Sequence, residues 1–298
     1  MKDSIVKDCL LVIDIGGSTI HSIILRPRTS TFIRFLSAAT DRSKIDTIIN
    51  DVVSAASIRF PISTRVLGIP GDISMPEPDG TVFCPPLGIK INISNYTTSG
   101  WTVVNDTIAN SYFSLDAFHF NLSTRHSIVT LGTSFGFCTV CPSDLLGANF
   151  SRCDSYEYAH MPIASFELPL PATDHPVYYV HDMFSVSGLA RLFNIEISAI
   201  PGSVVKLSDS IALAKVLDNP CAHPIFAEWI VAFLHLIVRL LQNELQVVSS
   251  VIVSGGLASL IVSSDALSEI FCKKASEFPA LNISLSITKP FSVARMSQ

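Results

Sequence analysis

The sequence lacks several features that would point to common functional classes. It contains no run of Lys and Arg residues and has a formal net charge of -5. Nucleic acid is therefore not expected as the main partner, because its phosphates require a basic surface. The sequence also lacks a GxxxxGK[ST] motif and a GxGxxG motif. These absences give no support to a P-loop or a dinucleotide-binding site.

A long uninterrupted apolar segment is also missing. The longest apolar stretch, residues 225–241, contains Glu228, His235 and Arg239, which favours a buried helix of a soluble protein over a membrane span. The N-terminal segment carries four charged residues before its short apolar stretch, and no small-residue cleavage site follows. We therefore expect no signal peptide, no membrane partner and a cytoplasmic location.

Cysteine is infrequent and scattered. The seven cysteines are odd in number, which in a cytosolic chain indicates reduced and mostly buried thiols. Cys138 and Cys141 form a CxxC pair, but no second pair follows. We therefore expect no zinc at this pair.

The apolar content is high enough for a large core. The chain has 298 residues, of which 48% are hydrophobic, and a single core stops growing near ~250–300 residues. Residues 9–15 and 20–25 are predicted strands around a glycine turn, and "HSIVTLG" and "FGFCTVC" repeat this pattern further along. The sequence therefore predicts an α/β fold of two similar lobes.

The remaining segments follow from periodicity and from turn residues. A helix is predicted over 45–58 and a strand over "TRVLGI", followed by a long Pro/Gly-rich loop without helix, of a kind that tends to be functional. Another strand is predicted over "VVSSVIVSGG". Further helices are predicted at 107–115, 183–194, 208–218, 222–246 and 263–278.

Three strand ends carry glycine and hydroxyl residues: "DIGGST" (14–19), "LGTSFG" (131–136) and "SGGLAS" (254–259). Backbone N–H groups and hydroxyls at such turns can face an anion that a Cβ would crowd out. For a single instance, a tight turn is the preferred explanation. Three instances at similar places in the two halves indicate a phosphate-binding function.

Asp106 follows an apolar strand in "VVNDTIANSY". One interpretation is that it caps the helix that follows, because Asp is a favoured N-cap. The other is that it is a catalytic base, since phosphoryl transfer needs a carboxylate that orients the acceptor hydroxyl and takes its proton. The local sequence leaves both open.

The ordered set of motifs resembles the ROK family of sugar kinases over nearly the whole chain. The set consists of "DIGGST", "GIPGDI", "CPPLG", "VVNDTIAN", "TLGTSFG", "EYAHMP" and "IVSGGLAS". The resemblance implies an actin-like ATPase fold with two ribonuclease-H-like lobes around an interlobe cleft. It also implies ATP-dependent phosphorylation of a hexose or hexose derivative with Mg²⁺. We expect an N-terminal lobe over 1–106 and a C-terminal lobe over 107–298, with a C-terminal end that can return to the first lobe.

The resemblance also assigns roles to individual residues. It implies a sugar pocket with Asp106 as general base and Gly71, Asn105, Glu157 and His160 as further sugar-binding residues. It implies an ATP site with Asp14 near the magnesium, and its phosphate and adenosine residues are Gly16, Gly17, Ser18, Thr19, Gly132, Thr133, Gly255 and Gly256. A homodimer would be usual for the family. His160 has a competing interpretation as a core histidine bonded to a backbone carbonyl.

Three departures from the family pattern affect the expected pocket. No cysteine occurs in 161–182, where the family has a zinc knot, so zinc is not expected there either. Pro86 replaces an asparagine, and Met183 replaces a glutamate before Ser187-Gly188. The alternatives are therefore a catalytically inactive sugar or nucleotide sensor, or a kinase of a non-sugar hydroxyl compound. DNA binding is not expected, because only a short segment precedes the first strand.

Overall fold

The computed structural model describes residues 8–17, 19–26, 31–115, 123–150, 153–156, 158–195, 207–242 and 248–285. The chain divides into two compact units. The first contains the described residues up to Ser123 together with Val140–Ser155. The second contains Thr124–Thr139 and the described residues from Tyr156 onwards.

The first unit is built on a five-stranded sheet with a small hairpin beside it. Its strands are β1 (Cys9–Ile15), β2 (Thr19–Arg26), β3 (Thr31–Ala39), β4 (Ile62–Ile69), β5 (Thr81–Cys84), β6 (Ile89–Asn92) and β7 (Trp101–Asn105), and its helices are α1 (Ile45–Arg59), α2 (Ile93–Thr98), α3 (Asp106–Leu115) and α4 (Pro142–Leu146). The main sheet has the order β3-β2-β1-β4-β7. Strands β1, β2 and β3 form an antiparallel meander, whereas β4 and β7 run parallel to β1.

A second five-stranded sheet repeats this arrangement. Its strands are β8 (His126–Leu131), β9 (Phe135–Val140), β10 (Asp154–Tyr156), β11 (Ser250–Ser254) and β12 (Ile283–Leu285), in the order β10-β9-β8-β11-β12. The helices of the second unit are α5 (Val180–Met183), α6 (Val186–Leu192), α7 (Leu207–Leu217), α8 (His223–Gln242), α9 (Gly256–Ser263) and α10 (Asp265–Ala275). When the strands of each sheet are counted along the chain, both sheets have the same spatial order: third, second, first, fourth, fifth. The prediction of an α/β fold with two ribonuclease-H-like lobes is confirmed.

Helix periodicity explains how the elements pack. In α1 the buried residues Ile45, Ile49, Val52 and Ala56 recur at intervals of three or four and face the first sheet's core. Helix α8 is apolar and long enough to span a membrane by length and composition alone. In the structure its apolar side packs into the core of the second unit, where Trp229 stacks between Phe226 and Phe233. Its Glu228, His235 and Arg239 are exposed.

Several elements differ from the sequence prediction. Strand β3 was not predicted. The Pro/Gly-rich loop contains β5, which pairs with β6 directly after the loop, and Pro85 and Pro86 lie in the turn between the two strands. The single helix predicted over 183–194 is two helices, because Ser185 caps α6 by accepting a hydrogen bond from the Gly188 N–H at 3.0 Å. The helix predicted over 263–278 is α10, with Ser264 as its cap, whereas the preceding helix α9 was not predicted. Side-chain caps of this kind stop a periodic pattern that would otherwise continue.

Candidate functional site

Asp14 lies near the end of β1 and is buried, with 6% of its surface exposed. Its Oδ1 atom has no hydrogen-bond partner among the described residues. Burial, and secondly the charge of Asp106, raise the pKa of Asp14 well above its ordinary value. A buried carboxylate oxygen without a partner carries a desolvation cost that a cation would remove.

The ends of three parallel strands bring the predicted sugar and phosphate residues of the first unit together. Asp14 of β1 pairs with Gly68 of β4, and Ile69 of β4 pairs with Asn105 of β7. Ligands of open α/β sheets bind at this carboxyl edge of the strands. The parallel pairing therefore places Asp14, Asn105 and Asp106 at one edge of the first sheet.

Gly68 allows the close approach of helix α3 to this edge. A Cβ on Gly68 would overlap the side chain of Ala109 and would lie 3.3 Å from Cα of Asp106 and 3.2 Å from Oδ1 of Asp14. Any larger residue would push the first turn of α3 away from the sheet. Gly68 was not among the predicted site residues, although it stands in the "GIPGDI" segment.

Asn105, and not Asp106, is the N-cap of α3. Its Oδ1 accepts a hydrogen bond from the Thr107 N–H at 2.9 Å, and its Nδ2 donates to the Gly71 carbonyl at 3.2 Å. The buried amide thus ties the loop at Gly71 to the start of the helix. Asp106 is the first helical residue and is partly exposed. The interpretation of Asp106 as the helix cap is wrong, since the neighbouring amide performs that function.

The first glycine turn is closed by its own backbone. The Gly16 N–H donates to the Thr19 carbonyl at 2.9 Å, and a Cβ on Gly16 would lie 2.9 Å from that oxygen. The Thr40 hydroxyl donates to the Gly16 carbonyl at 2.9 Å, which links the turn to the segment after β3. Gly17 follows directly, whereas Ser18 lies outside the described residues.

The second glycine turn occupies the equivalent place in the second unit. The Gly132 N–H donates to the Ser134 carbonyl at 3.0 Å, and Thr133 between them is partly exposed. Thr130 pairs with Ser254 on the next parallel strand, as Asp14 pairs with Gly68. Thr130 therefore takes the position of Asp14, so the two turns differ by one carboxylate.

The third glycine motif has two residues with opposite environments. Gly255 has a φ of 96°, and a Cβ there would lie 2.5 Å from the Leu131 carbonyl oxygen. This position requires glycine on both grounds. A Cβ on Gly256, the first residue of α9, would meet nothing within 4 Å. Gly256 therefore faces open space at the helix N-terminus, and the space next to it can admit a ligand.

His160 is an exposed residue at the end of a short 3₁₀ helix, Tyr158–His160. Its ring centroid lies 5.0 Å from that of His181. Desolvation of the ring, and secondly His181, lower the pKa of His160, while Asp182 opposes this effect. The exposure excludes the interpretation of His160 as a core histidine. Its expected partner Glu157 lies outside the described residues.

Sequence reasoning missed the residues around His160. His181 is hydrogen-bonded to the Ala159 carbonyl of this segment, and Asp182 accepts hydrogen bonds from the Tyr178 and Tyr179 N–H groups. Met183, where the family has a glutamate, is buried, and its carbonyl accepts from Trp229 Nε1 at 3.0 Å. A signal was present, because Asp182 is the third residue of a short helix, where a carboxylate bonds back to the cap.

Metal-ligand clusters are not found within the described ranges: no group of three or more His, Cys, Asp or Glu side chains could hold an ion there. Cys138 is buried in β9, and Cys141 directly follows that strand rather than lying in it. In the first unit the structure brings Asp14, Gly71, Asn105 and Asp106 to one edge of the sheet, and Gly16, Gly17 and Thr19 follow Asp14. The other described site residues, Gly132, Thr133, His160, Gly255 and Gly256, belong to the second unit.

Comparisons with known proteins identify the fold. No sequence-family model matches the chain, and no curated protein matches it. Among solved structures, a ROK family glucokinase from Streptomyces griseus in complex with glucose and AMPPNP is 17% identical, with a TM-score of 0.59, and the match covers 91% of this chain and 89% of that chain.

Two further structures show how varied the proteins of this fold are. An inorganic polyphosphate/ATP-glucomannokinase from Arthrobacter sp. strain KM is 15% identical with a TM-score of 0.53, covering 94% of this chain and 91% of that one. A ROK family transcriptional regulator, a homolog of the E. coli MLC protein, is 13% identical with a TM-score of 0.54, covering 93% of this chain and 73% of that one. The chain has the fold of these structures.

Proposed function

We propose that this protein, which has the fold of the ROK family structures, is an ATP-dependent sugar kinase with Asp106 as its general base. One observation carries the proposal: Asp106 is the first residue of α3 at the carboxyl edge of the first sheet, next to the buried Asp14. Its carboxylate is partly exposed, and we infer that a substrate hydroxyl reaches it there.

In the proposed reaction the oxygen of the sugar hydroxyl attacks the γ-phosphorus of ATP while its proton passes to the Asp106 carboxylate. The bond between the γ-phosphorus and the bridging oxygen breaks, and ADP leaves with that oxygen. General-base assistance of this kind is typically worth about 10²–10⁴-fold in rate. Asp106 also orients the hydroxyl for in-line attack, and positioning together with electrostatic stabilisation supplies most of the catalysis in phosphoryl transfer.

The environment of Asp14 fits a magnesium ion. Mg²⁺ prefers oxygen ligands and is usually held by one or two carboxylates together with substrate phosphates. The buried Oδ1 without a hydrogen-bond partner would supply such a ligand. The ion, when bound, neutralises charge on the phosphates. It would also offset the repulsion between Asp14 and Asp106 that raises the pKa of Asp14.

We propose that the glycine turns bind the phosphates and the adenosine of ATP. We assign Gly16, Gly17, Ser18 and Thr19 to the first phosphate turn and Gly132 and Thr133 to the second. Gly256 leaves open space next to the N-terminus of α9 for the nucleotide. The related Streptomyces griseus structure was solved with AMPPNP, an ATP analogue.

For the sugar we propose Asn105, Gly71, Glu157 and His160 as ligands beside Asp106. The Asn105 amide already donates one hydrogen bond to the Gly71 carbonyl, and its oxygen accepts one from the Thr107 N–H. It can therefore form fewer hydrogen bonds with a sugar than an amide without these partners. Pro86 offers no side-chain hydrogen bond. A hexose derivative with fewer polar contacts on that side is therefore favoured over glucose itself.

We also propose a cytoplasmic homodimer.

Assays of phosphoryl transfer test the function across hexoses, N-acetylhexosamines and non-sugar polyols. ADP release is followed in a coupled assay with Mg²⁺ and ATP, and the phosphorylated product is measured directly when polyphosphate is the donor. We expect saturable turnover with at least one hexose or hexose derivative and ATP. If calorimetry shows sugar binding but no donor supports turnover, the protein is a sensor. Turnover with polyols alone would show that the substrate is a non-sugar hydroxyl compound.

A further inference from the structure

The segment that carries His160 is fastened to a later part of the chain by backbone hydrogen bonds. The Ile163 N–H donates to the Tyr178 carbonyl at 2.9 Å, and the Val180 N–H donates to the Met161 carbonyl at 3.1 Å. Pro162 and Tyr179 form an antiparallel β-bridge between these bonds. These bonds join the two ends of the long irregular stretch over 164–177, and the paired residues 161–163 and 178–180 form its base.

His181 connects this base to His160. Its Nδ1 lies 2.7 Å from the Ala159 carbonyl oxygen. Because a carbonyl oxygen only accepts hydrogen bonds, Nδ1 carries the proton and the orientation of the ring is defined. The His160 ring packs edge-on against the His181 ring at 5.0 Å, and Tyr179 stacks on His181 at 5.9 Å. The position of His160 therefore depends on His181.

Asp182 holds the ends of this arrangement together. Its Oδ2 accepts hydrogen bonds from the Tyr178 N–H at 3.1 Å and the Tyr179 N–H at 2.9 Å. Its Oδ1 lies 3.6 Å from Nη2 of Arg191 and 3.5 Å from Nε2 of His181. The carboxylate is 13% exposed, so these charge-assisted contacts are poorly screened by water.

The same carboxylate links the His160 segment to the second glycine turn. Arg191 belongs to α6, whose first residue Val186 donates its N–H to the Gly132 carbonyl at 2.9 Å. The Ser185 hydroxyl bonds the His181 carbonyl at 2.7 Å and caps α6. Helices α5 and α6 thus form a connected element between His160 and Gly132.

We propose that Asp182 is a positioning residue that fixes His181 and, through it, His160 for sugar binding. The proposal rests on the proposed function in that His160 contacts the sugar. Asp182 touches no reacting atom. Its removal should therefore weaken sugar binding while the phosphoryl-transfer step is largely preserved.

The experiment compares wild-type protein with Asp182→Ala, Asp182→Asn and the matched control Asp174→Ala, an exposed acid in the same irregular stretch. Histidine side-chain ¹H–¹⁵N spectra report the environment of both ring nitrogens of His181 without requiring catalysis. We expect the Nδ1–H signal of His181 in every variant, because the Ala159 carbonyl accepts that proton. The His181 Nε2 and His160 signals should shift in Asp182→Ala but not in Asp174→Ala, because Asp182 lies beside Nε2 and His160 packs on the same ring. We expect the KM for sugar to rise about tenfold, a loss of about 1.4 kcal/mol, with kcat within about threefold.

Asp182→Asn keeps an oxygen that can accept from Tyr178 and Tyr179 and should recover part of the loss. Arg191→Met removes the ion pair with Asp182 but leaves the hydrogen bonds from Tyr178 and Tyr179 in place. It therefore tests the same arrangement even if Asp182→Ala does not fold. We expect it to raise the KM for sugar less than Asp182→Ala does. Unchanged histidine spectra in Asp182→Ala, or changed spectra with an unchanged sugar KM, would overturn the proposal. A wild-type protein that phosphorylates no sugar would refute the proposed function, and the spectra would still decide whether Asp182 holds His181.

Discussion

Asp14 and Asp106 are brought together by Gly68: Oδ1 of Asp14 lies 3.2 Å and Cα of Asp106 3.3 Å from the point at which a Cβ of Gly68 would stand. Two acidic residues from different parts of the chain thus share one edge of the sheet. Burial and their mutual repulsion raise the pKa of Asp14. A pair of carboxylates in such a place is costly without a cation and is typical of functional sites.

Replacement of Asp106 by Asn tests the general base. We expect kcat to fall about 10²–10⁴-fold with a small change in the KM for sugar, because the amide can still accept a hydrogen bond but cannot take the proton. The measurement is steady-state kinetics in the coupled assay. Asp51→Asn, an exposed acid on α1, is the matched control and should retain full activity. Turnover by Asp106→Asn close to that of the wild type would eliminate this role.

Replacement of Asp14 by Asn should change the pH dependence of stability. The folded-state pKa of Asp14 is raised above its ordinary value of 3.8, so the folded state binds its proton more tightly than the unfolded state. The contribution of Asp14 to stability is therefore largest below that ordinary value. It declines as pH rises towards the folded pKa.

Thermal melts over pH check this sign. Asp14→Asn should gain stability relative to wild type as pH rises from about 4, with the difference narrowing when Mg²⁺ and ATP are added. The variant should also lose activity through the missing metal ligand. A stability difference between the two proteins that stays constant over pH would contradict the assignment.

Gly255 and Gly256 form a pair of neighbouring positions with different expected responses to alanine. Gly255→Ala should destabilise the protein, because its Cβ would clash with the Leu131 backbone and its φ of 96° disfavours other residues. Gly256→Ala should leave folding stability unchanged or raise it by up to about 1 kcal/mol, since α9 gains a better helix former. If ATP binds there, the KM for ATP should rise. Chemical denaturation and ATP kinetics separate the two effects, and an unchanged KM for ATP would remove Gly256 from the nucleotide site.

Removal of zinc should not reduce activity. The described part of the chain has no cluster of metal-binding side chains, and the His160 segment is held by hydrogen bonds instead. Treatment with a zinc-selective chelator in excess Mg²⁺ is therefore expected to leave turnover and melting temperature unchanged. A loss of turnover that added Zn²⁺ restores would show that a structural zinc is present.

Local sequence signals predicted the elements that repeat within the chain. The strands on either side of the turns at Gly16 and Gly132 were found from apolar runs and glycines, and helix α1 was found from its periodicity. The hairpin of β5 and β6 was not, because prolines lie on both sides of the short strand β5, and two of them are in the turn that leads to β6. The split of the 183–194 helix depends on a hydroxyl cap at Ser185, which competes with a continuous periodic pattern.

The sequence by itself determined the two repeated α/β halves and the glycine turns at their strand ends, because these depend on residues close to one another along the chain. Only the tertiary structure decided that Asn105 caps α3, that Asp14 is buried beside Asp106, and that Asp182 bonds to the chain around His181. Strand order and helix packing create these relationships. They bring together groups that are distant in sequence and remove them from water, and both proximity and desolvation set the chemistry of a carboxylate.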